Sequence, residues 1–248
     1  MKKTILLLSL LFLFANCANE KIEFKQKKFE KSLTLASGKD STTVKVNIPI
    51  ASGEKVATDS INKKLFAMVK EIVYFDEKPL KADNYDDLLA SFIDSYQKFV
   101  SDFPDYRLPW EATIEGKVIY HSDAVICIEI NHYSFTGGAH GNGGLRSLLA
   151  DATTGKKIPN DKLFKNTDDF KAFAEKKFRT VYKIPETGSI NQTGLQFEND
   201  QFYLPENIFF TDKGLLLYYN QYEAAAYVEG TKQLLFPYDK IGDYLLVK

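Results

Sequence analysis

Histidines are the first residues of this chain that could do chemistry. His140 lies in the segment Phe135-Thr136-Gly137-Gly138-Ala139-His140-Gly141, and the other two are His121 and His132. A catalytic or structural metal needs three or four His, Cys or carboxylate ligands, and these histidines show none of the spacings of known metal motifs. We therefore expect no metal and no cofactor. Two interpretations of His140 remain: an imidazole that holds the glycine segment by a hydrogen bond, and a ligand-binding side chain beside Thr136.

Nucleophilic and phosphate-binding chemistry lack the residues that they require. Ser134 lies near His132 and His140, but no Gly-x-Ser-x-Gly turn exposes a serine. The run Gly141-Asn142-Gly143-Gly144 is not followed by the Lys-Ser/Thr of a nucleotide-binding loop. We expect no enzyme, and a hydrolase that uses His140 and a nearby acid is the alternative.

A tyrosine-rich segment near the C-terminus is the best candidate for binding. Tyrosine combines apolar area with a polar tip, which suits saccharide and protein surfaces. Alternate tyrosines on a strand also commonly fill a core, so packing and recognition both remain open. Glu223 is structural if it is buried beside tyrosine hydroxyls, and binding if it lines an open groove. The predicted binding residues are Tyr222, Glu223, Tyr227, His140, Thr136, Asn220 and Tyr238.

The N-terminus predicts export. Lys2 and Lys3 precede the apolar run Ile5 to Phe14, which is too short for the roughly 20 residues that span a bilayer. Cys17 follows directly and resembles the lipidated cysteine of a bacterial lipobox, so residues 1–16 are a signal peptide and 17–32 a lipid-anchored tether. A plain secretory signal is the alternative. The protein is then expected in the bacterial cell envelope, exported and lipid-anchored to a membrane.

Composition excludes other classes of partner. The 248 residues are 44% hydrophobic and 14% aromatic, enough for a substantial core. Loss of residues 1–16 lowers Lys+Arg from 32 to 30 against 33 Asp+Glu, so the mature chain is near −3 and nucleic acid is not expected as a partner. Cys127 lies in an apolar run and is predicted to be a small buried hydrophobe.

Periodicity predicts an α+β fold of two packed subdomains, each a small, mainly antiparallel sheet with helices on one face. The first, 33–141, is predicted to hold a hairpin, two helices with a cap at Thr58-Asp59-Ser60 and at 83–87, and strands at 110–120 and 123–135. The second, 142–248, is predicted to hold a hairpin, a helix capped at 166–168, and short strands at 202–204, 208–211, 215–219 and 233–236. The glycine corner around His140 is predicted to join the two subdomains.

Three motifs resemble those of a known family, and they occur in its order. They are the glycine corner 135–141, the turn Asp151-Ala152-Thr153-Thr154-Gly155-Lys156 and the run Phe209 to Gly230 continuing through Phe236-Pro237-Tyr238. Together they resemble the paired uncharacterised domains in the extracellular part of lysozyme-sensing (RsiV-like) anti-sigma factors, over nearly all of residues 33–243. The resemblance implies a cell-wall setting for a stand-alone envelope lipoprotein. Its expected partner is a cell-wall glycan or a lysozyme-like protein, bound without catalysis.

Overall fold

The computed structural model of the protein describes residues 21–35, 38, 40–74 and 81–247. The predicted signal peptide and the predicted lipidation site, Cys17, lie outside the described residues. None of the helices within them is both long enough and apolar enough to cross a bilayer. The strands are β1 (Glu23–Thr34), β2 (Ser41–Ser52), β3 (Glu111–His121), β4 (Val125–Phe135), β5 (Asn142–Asp151), β6 (Asn207–Thr211), β7 (Gly214–Tyr219) and β8 (Lys232–Phe236), and the helices are α1 (Lys55–Val73), α2 (Tyr85–Asp102), α3 (Thr167–Val181) and α4 (Tyr238–Ile241).

Two sheets confirm the predicted α+β class. The first has the order β1-β2-β3-β4-β5 and is antiparallel except for the parallel pair β2 and β3. The second is an antiparallel meander of β6, β7 and β8. Helices α1 and α2 cross between β2 and β3, because a parallel connection needs a long crossover.

Strand β4 is buried on both faces and separates two cores. Ile126, Ile128 and Ile130 are fully buried in the core beneath α1 and α2. Val125 and Cys127, which alternate with them, are fully buried in the core that contains α3 and the second sheet. Opposite faces of one strand thus join the subdomains, and the near-continuous apolar run of β4 follows from this double burial.

The glycine corner lies in a different place from the predicted one. It connects β4 to β5 within the first sheet, where Ser134 pairs with Asn142. The prediction that it joins the two subdomains is therefore wrong, and the boundary drawn between 141 and 142 falls inside a hairpin of the first sheet. Gly137 (φ +105°) and Gly138 (φ +91°) do adopt the positive φ expected of a sharp turn.

The segment predicted as a tether overlaps β1. Residues 23–32 pair with β2 in continuous antiparallel register. Phe29 stacks on Tyr85 of α2 with ring centroids 4.5 Å apart. Half-buried apolar side chains at Phe24, Phe29 and Leu33 therefore fix this part of the chain to the first core.

Local signals at helix and turn ends were largely, but not always, correct. Asn166 caps α3 as predicted, and Asn84 caps α2 within the predicted 83–87. The cap of α1 is Glu54, whose carboxylate accepts from two backbone N–H groups, because the helix starts a turn earlier than predicted and Thr58 is buried inside it. Residues 202–204 form no strand, whereas the β6–β7 hairpin turns at Asp212-Lys213 as predicted.

Candidate binding surface

Three exposed rings form one contiguous surface, which we call the ring cluster: His140, Tyr222 and Tyr227. The rings of His140 and Tyr227 are stacked, with centroids 5.0 Å apart and an interplanar angle of 22°. Tyr222 lies 5.4 Å from Tyr227. Tyr222 and Tyr227 are 62% and 42% exposed. Because large exposed aromatic groups cost solvation free energy, the ring cluster is the candidate binding surface.

Elements from both subdomains position the ring cluster. The β4–β5 hairpin presents His140, whose Nδ1 lies 2.9 Å from the Gly141 carbonyl oxygen. Tyr227 opens a single 3-10 turn, Tyr227–Glu229, between β7 and β8. Tyr222 sits in the turn after β7 with φ +68°, a conformation that non-glycine residues rarely adopt. The imidazole therefore both bonds locally and extends the aromatic surface.

Asn220 is structural and holds the two sheets together. Its Oδ1 accepts from the Leu145 N–H at 2.9 Å and its Nδ2 donates to the Leu145 carbonyl at 2.9 Å. A Cβ at Gly144 would lie 2.5 Å from that Oδ1, so the absence of a side chain at Gly144 makes room for the amide. Both ends of the Asn220 amide are thus occupied by backbone.

Glu223 is half-buried, and backbone groups hold its carboxylate. Its carboxylate accepts from the backbone N–H of Glu206 and of Asn220, each at 2.8 Å. The Tyr203 hydroxyl donates to the Glu223 backbone carbonyl. Burial raises the pKa of the carboxyl group, against the opposing effect of these backbone hydrogen bonds. Glu223 therefore fixes the turn that carries Tyr222.

Two other predicted binding residues, Tyr238 and Thr136, do not belong to the ring cluster. The Tyr238 hydroxyl donates to the Thr211 carbonyl at 2.9 Å, and its ring packs on Phe210 and Tyr120. Burial raises the pKa of that phenol well above its usual range. Thr136 is half-buried in the glycine corner. Tyr238 is therefore a packing residue of the second core.

A groove that the sequence did not indicate runs along β5. This β5 groove has a volume of about 990 Å³ and is bordered by α1, by the backbone of Gly143 and Gly144, and by residues 157–161. Arg146 lies in it and pairs with Glu71 of α1 at 3.0 Å. His132 also lines it, and burial together with the positive charge of Arg146 lowers its pKa to about 4. The residues at 71 and 146 are 75 apart in the chain, so no local pattern could have paired them.

Reactive groups in the described residues are few. Across 21–35, 38, 40–74 and 81–247, no three His, Cys, Asp or Glu side chains converge as a metal site requires. Ser134, considered above as a nucleophile, is buried in β4. Cys127 is fully buried, and its desolvation raises the pKa of the thiol to about 12.

The same two-part organisation is found in known proteins. Residues 35–143 match the family described as Deacetylase PdaC, and residues 160–239 match a family described as a protein of unknown function, DUF3298. The chain is thus similar to a PdaC and DUF3298 domain pair. A comparison with curated proteins gives no match.

Solved structures agree with the fold. A DUF3298 family member from Bacteroides fragilis superposes with a TM-score of 0.69 at 18% identity, over 92% of this chain and 94% of its own. A DUF3298 family protein from Pseudomonas aeruginosa superposes with a TM-score of 0.61 at 20% identity, over 93% of this chain and 96% of its own. At these identities the likeness concerns the fold.

Proposed function

We propose that this chain is a non-catalytic lipoprotein of the bacterial cell envelope that binds a cell-wall glycan at the ring cluster. The observation that carries the proposal is the exposed stack of Tyr222, Tyr227 and His140, to which both subdomains contribute. Sugar rings have apolar faces, and phenol rings offer flat apolar area with a hydroxyl at the edge. The similarity to an envelope-associated domain pair supports the same setting.

The orientation of the first sheet would place the ring cluster on the side of the protein that faces away from the membrane. Glu23 of β1 and His121 of β3 lie at one end of the sheet, and their neighbour Phe24 contacts the His121 ring. The glycine corner lies at the opposite end, beyond Phe135. Strand β4 has 11 residues, which at ~3.3 Å each spans about 35 Å. A lipid on Cys17, four residues before Lys21, would therefore direct the ring cluster away from the membrane.

The test is a calorimetric titration of the mature protein with peptide-free peptidoglycan strands. We expect saturable binding that Tyr227→Ala weakens by about tenfold or more, because a central aromatic residue commonly dominates a small interface. Leu246→Ala is the matched control, since Leu246 is 60% exposed at the C-terminal end of the chain. No saturable binding, or equal loss in both variants, would remove the proposal.

A muralytic partner is tested in the same experiment. Lysozyme is injected over immobilised protein in place of the glycan. Binding of lysozyme that is lost in Tyr227→Ala, with no binding of strands, would reassign the ring cluster to a protein partner. Intact-mass analysis of the membrane fraction tests the lipid on Cys17 independently.

Hydrolysis or deacetylation of the glycan is the alternative function. It is tested by incubating the protein with peptidoglycan and measuring reducing ends and released acetate. We expect neither product above a control without protein. Turnover that His140→Ala abolishes in a folded protein would replace the binding proposal by an enzymatic one.

A further inference from the structure

We propose that the free edge of β1 accepts an extended acidic segment of a partner protein as an added strand of the first sheet. Strand β1 lies at the edge of that sheet opposite β5. It has 12 residues, contains no proline and pairs with β2 in continuous register. An edge of this length is a template for another strand unless the protein blocks it. No residue of the ring cluster lies in β1 or β2, so this proposal and the glycan proposal can fail independently.

The other sheet edges are closed. At β5, the Asn220 amide bonds both backbone groups of Leu145. At β8, the Tyr182 hydroxyl donates to the Gln233 carbonyl at 3.1 Å and accepts from its N–H at 2.7 Å. The outer edge of β6 is bonded to Ser147 of β5. Within residues 21–35, 38, 40–74 and 81–247, no other element forms such hydrogen bonds with the outer edge of β1.

The pairing of β2 determines which backbone groups of β1 face outward. The Thr43 N–H donates to the Trp110 carbonyl, on the side of β3. The N–H and carbonyl of Ala51 are both bonded by Asn62 of α1. Bonded and non-bonded pairs alternate along an antiparallel ladder, so Thr43, Ala51 and every second residue between them form no hydrogen bonds with β1. Their register partners are therefore the residues of β1 whose N–H and carbonyl groups face outward: Phe24, Gln26, Lys28, Glu30 and Ser32.

Contacts with the rest of the first subdomain hold β1 in place. Phe29 stacks on Tyr85 of α2, with ring centroids 4.5 Å apart. The Gln26 side chain reaches across β2 and donates from Nε2 to the Gly116 carbonyl of β3 at 2.8 Å. Because the strand is already ordered, an added segment has only its own conformational entropy to lose.

Four exposed lysines give β1 a positive charge: Lys25, Lys27, Lys28 and Lys31. Lys27 Nζ lies over the Phe29 ring, 4.8 Å from its centroid. None of the four lysines forms an ion pair with another described residue. Like charges placed opposite each other destabilise a sheet, so these lysines oppose pairing of β1 with a second copy of itself. An acidic strand would instead place opposite charges beside them.

The acidic groups of this region leave the lysines in excess. Glu30 pairs with Lys45 of β2 at 3.4 Å. Asp86 and Asp87 lie in the first turn of α2, where the helix dipole stabilises their negative charge. Residues 23–52 hold six lysines against three acidic residues, whereas the whole chain has a formal net charge of −1. The positive charge is therefore concentrated on the β1–β2 hairpin, which matches an acidic ligand.

The alternation along β1 defines the ligand more closely. Successive side chains of a strand point to opposite faces, so Lys25, Lys27 and Lys31 share one face with Phe29. An added strand meets these lysines with every second side chain. The matching segment therefore carries acidic residues at alternate positions.

The experiment titrates the mature protein with three blocked peptides of about ten residues. The first alternates Glu and Thr, and the second alternates Gln and Thr. The third is the Glu peptide with N-methyl groups on two adjacent central residues, which removes a donor from each of its edges. We expect saturable binding of the Glu peptide, about tenfold weaker binding of the Gln peptide, and no binding of the N-methylated peptide.

Hydrogen exchange locates the bound peptide. The outward N–H groups of Gln26, Lys28 and Glu30 should exchange quickly in the free protein and slowly with the Glu peptide bound, because the added strand accepts from them. The amides of Lys27 and Phe29 bond β2 in the free protein and should change little. Protection elsewhere, with none at the outward groups, would overturn the proposal.

Two substitutions of Lys28 separate the backbone from the charge. Lys28→Gln keeps the outward N–H, and Lys28→Pro removes it at an edge position that proline can occupy. We expect Lys28→Pro to abolish binding of the Glu peptide and Lys28→Gln to weaken it by less than about threefold. Thermal unfolding checks that each variant is folded. If Lys28→Pro proves unfolded, the N-methylated peptide and hydrogen exchange in wild type still decide.

A charge-matched pair of triple variants tests the lysines. Replacement of Lys25, Lys27 and Lys31 by Gln should remove the preference for the Glu peptide over the Gln peptide. Replacement of three exposed lysines outside the hairpin by Gln should keep it; these are Lys63, Lys165 and Lys213. Equal effects of the two triple variants would overturn the proposal.

Other occupants of the edge give different results. Absence of saturable binding of the Glu peptide, or equal affinity for the Glu and N-methylated peptides, would overturn the proposal. Self-association that Lys28→Pro abolishes, with no peptide bound, would identify a second copy of the chain as the occupant. Binding to vesicles of anionic phospholipid, again with no peptide bound, would identify a lipid surface. Either result would replace the proposed partner.

Discussion

The side-chain amide of Asn220 substitutes for a neighbouring strand at Leu145, because it bonds both the N–H and the carbonyl of that residue at 2.9 Å. Asn207 makes one such hydrogen bond at Ser147, where its Oδ1 accepts from the backbone N–H at 2.9 Å. Asn207 is the first residue of β6 and Asn220 directly follows β7, whereas both partners lie in β5 of the first sheet. These amides therefore occupy backbone groups on the otherwise open edge of β5 and join it to the second sheet.

Replacement of Asn220 should destabilise the joint between the sheets. Asn220→Ala leaves a part-buried N–H and carbonyl of Leu145 without these partners, so we expect a loss of about 1–3 kcal/mol in the free energy of unfolding. Urea denaturation measures it. Asn131→Ala, on an exposed position of β4, is the control and should change stability by less than about 0.5 kcal/mol. Equal effects of the two substitutions would contradict the structural role of Asn220.

A side chain at Gly144 should conflict with that amide specifically. In Gly144→Ala the new Cβ would lie 2.5 Å from Asn220 Oδ1 and 3.0 Å from its Cγ. We expect a destabilisation of about 1–3 kcal/mol, through overpacking and loss of the Leu145 hydrogen bonds. In the double variant with Asn220→Ala the conflict is absent. The double variant should therefore lose less stability than the sum of the losses in the two single variants. Strict additivity in a double-mutant cycle would show that the glycine is not there for the amide.

A branched side chain in the glycine corner should destabilise the protein through backbone strain alone. Gly138 has φ +91°, and a Cβ there would meet nothing within 4 Å. We therefore expect Gly138→Val to cost roughly 1–3 kcal/mol through strain at positive φ. Ala139→Val adds a similar side chain at the next exposed position and serves as the control. An unchanged melting temperature in Gly138→Val would show that the corner can adopt another turn.

Features encoded in a few adjacent residues were predictable from the sequence. The Asp212-Lys213 turn and the Asn166 cap depend only on local conformational preference, and both are confirmed. The place of the glycine corner could not be derived in this way, because the pairing of β5 with β4 depends on which faces of β4 are buried by distant residues. The contacts of Asn220 with Leu145 and of Arg146 with Glu71 each span 75 residues.

For the candidate site, the sequence shows which residue types could bind a ligand, but it does not show whether their side chains are exposed or buried. The sequence singled out Tyr222 and Tyr227 for their chemistry, but could not distinguish their exposure from the burial of Tyr219, which is fully buried. The chain reverses direction through the positive φ at Tyr222, and no sequence signal marks that turn. The sequence left the role of Glu223 open, and its carboxylate forms two backbone hydrogen bonds at that turn.

The thiol of Cys127 should be unreactive in the folded protein. Burial raises its pKa to about 12, so almost none of it is thiolate, the reactive form, at about pH 8. A maleimide should fail to label native Cys17→Ser protein and should label it fully in urea. Rapid labelling without denaturant would contradict the burial of β4 on both faces. The variant at position 17 is used so that Cys127 is the one remaining thiol in the sequence.

His132 should make stability depend on pH below neutrality. Burial, with a further contribution from the positive charge of Arg146, lowers its pKa from 6.5 to about 4, and its Nδ1 has no hydrogen-bond partner among the described residues. The unfolded chain therefore binds a proton at a pH where the folded chain does not, so stability rises with pH across this window. This contribution is fully present above about pH 6.5 and is lost as the pH falls toward 4, with a magnitude on the order of 2 kcal/mol.

The difference between wild type and His132→Leu isolates this contribution from the carboxyl groups that titrate in the same range. Urea midpoints measured at intervals from about pH 4 to 6.5 should fall more steeply with decreasing pH in wild type than in the variant. Arg146→Gln removes the neighbouring positive charge and should raise the pKa of the folded imidazole. The loss of stability that His132 causes should then be smaller and should end at a higher pH. Parallel stability curves for wild type and His132→Leu would show that His132 is hydrated in the folded protein, and that the wall of the β5 groove is open to water there.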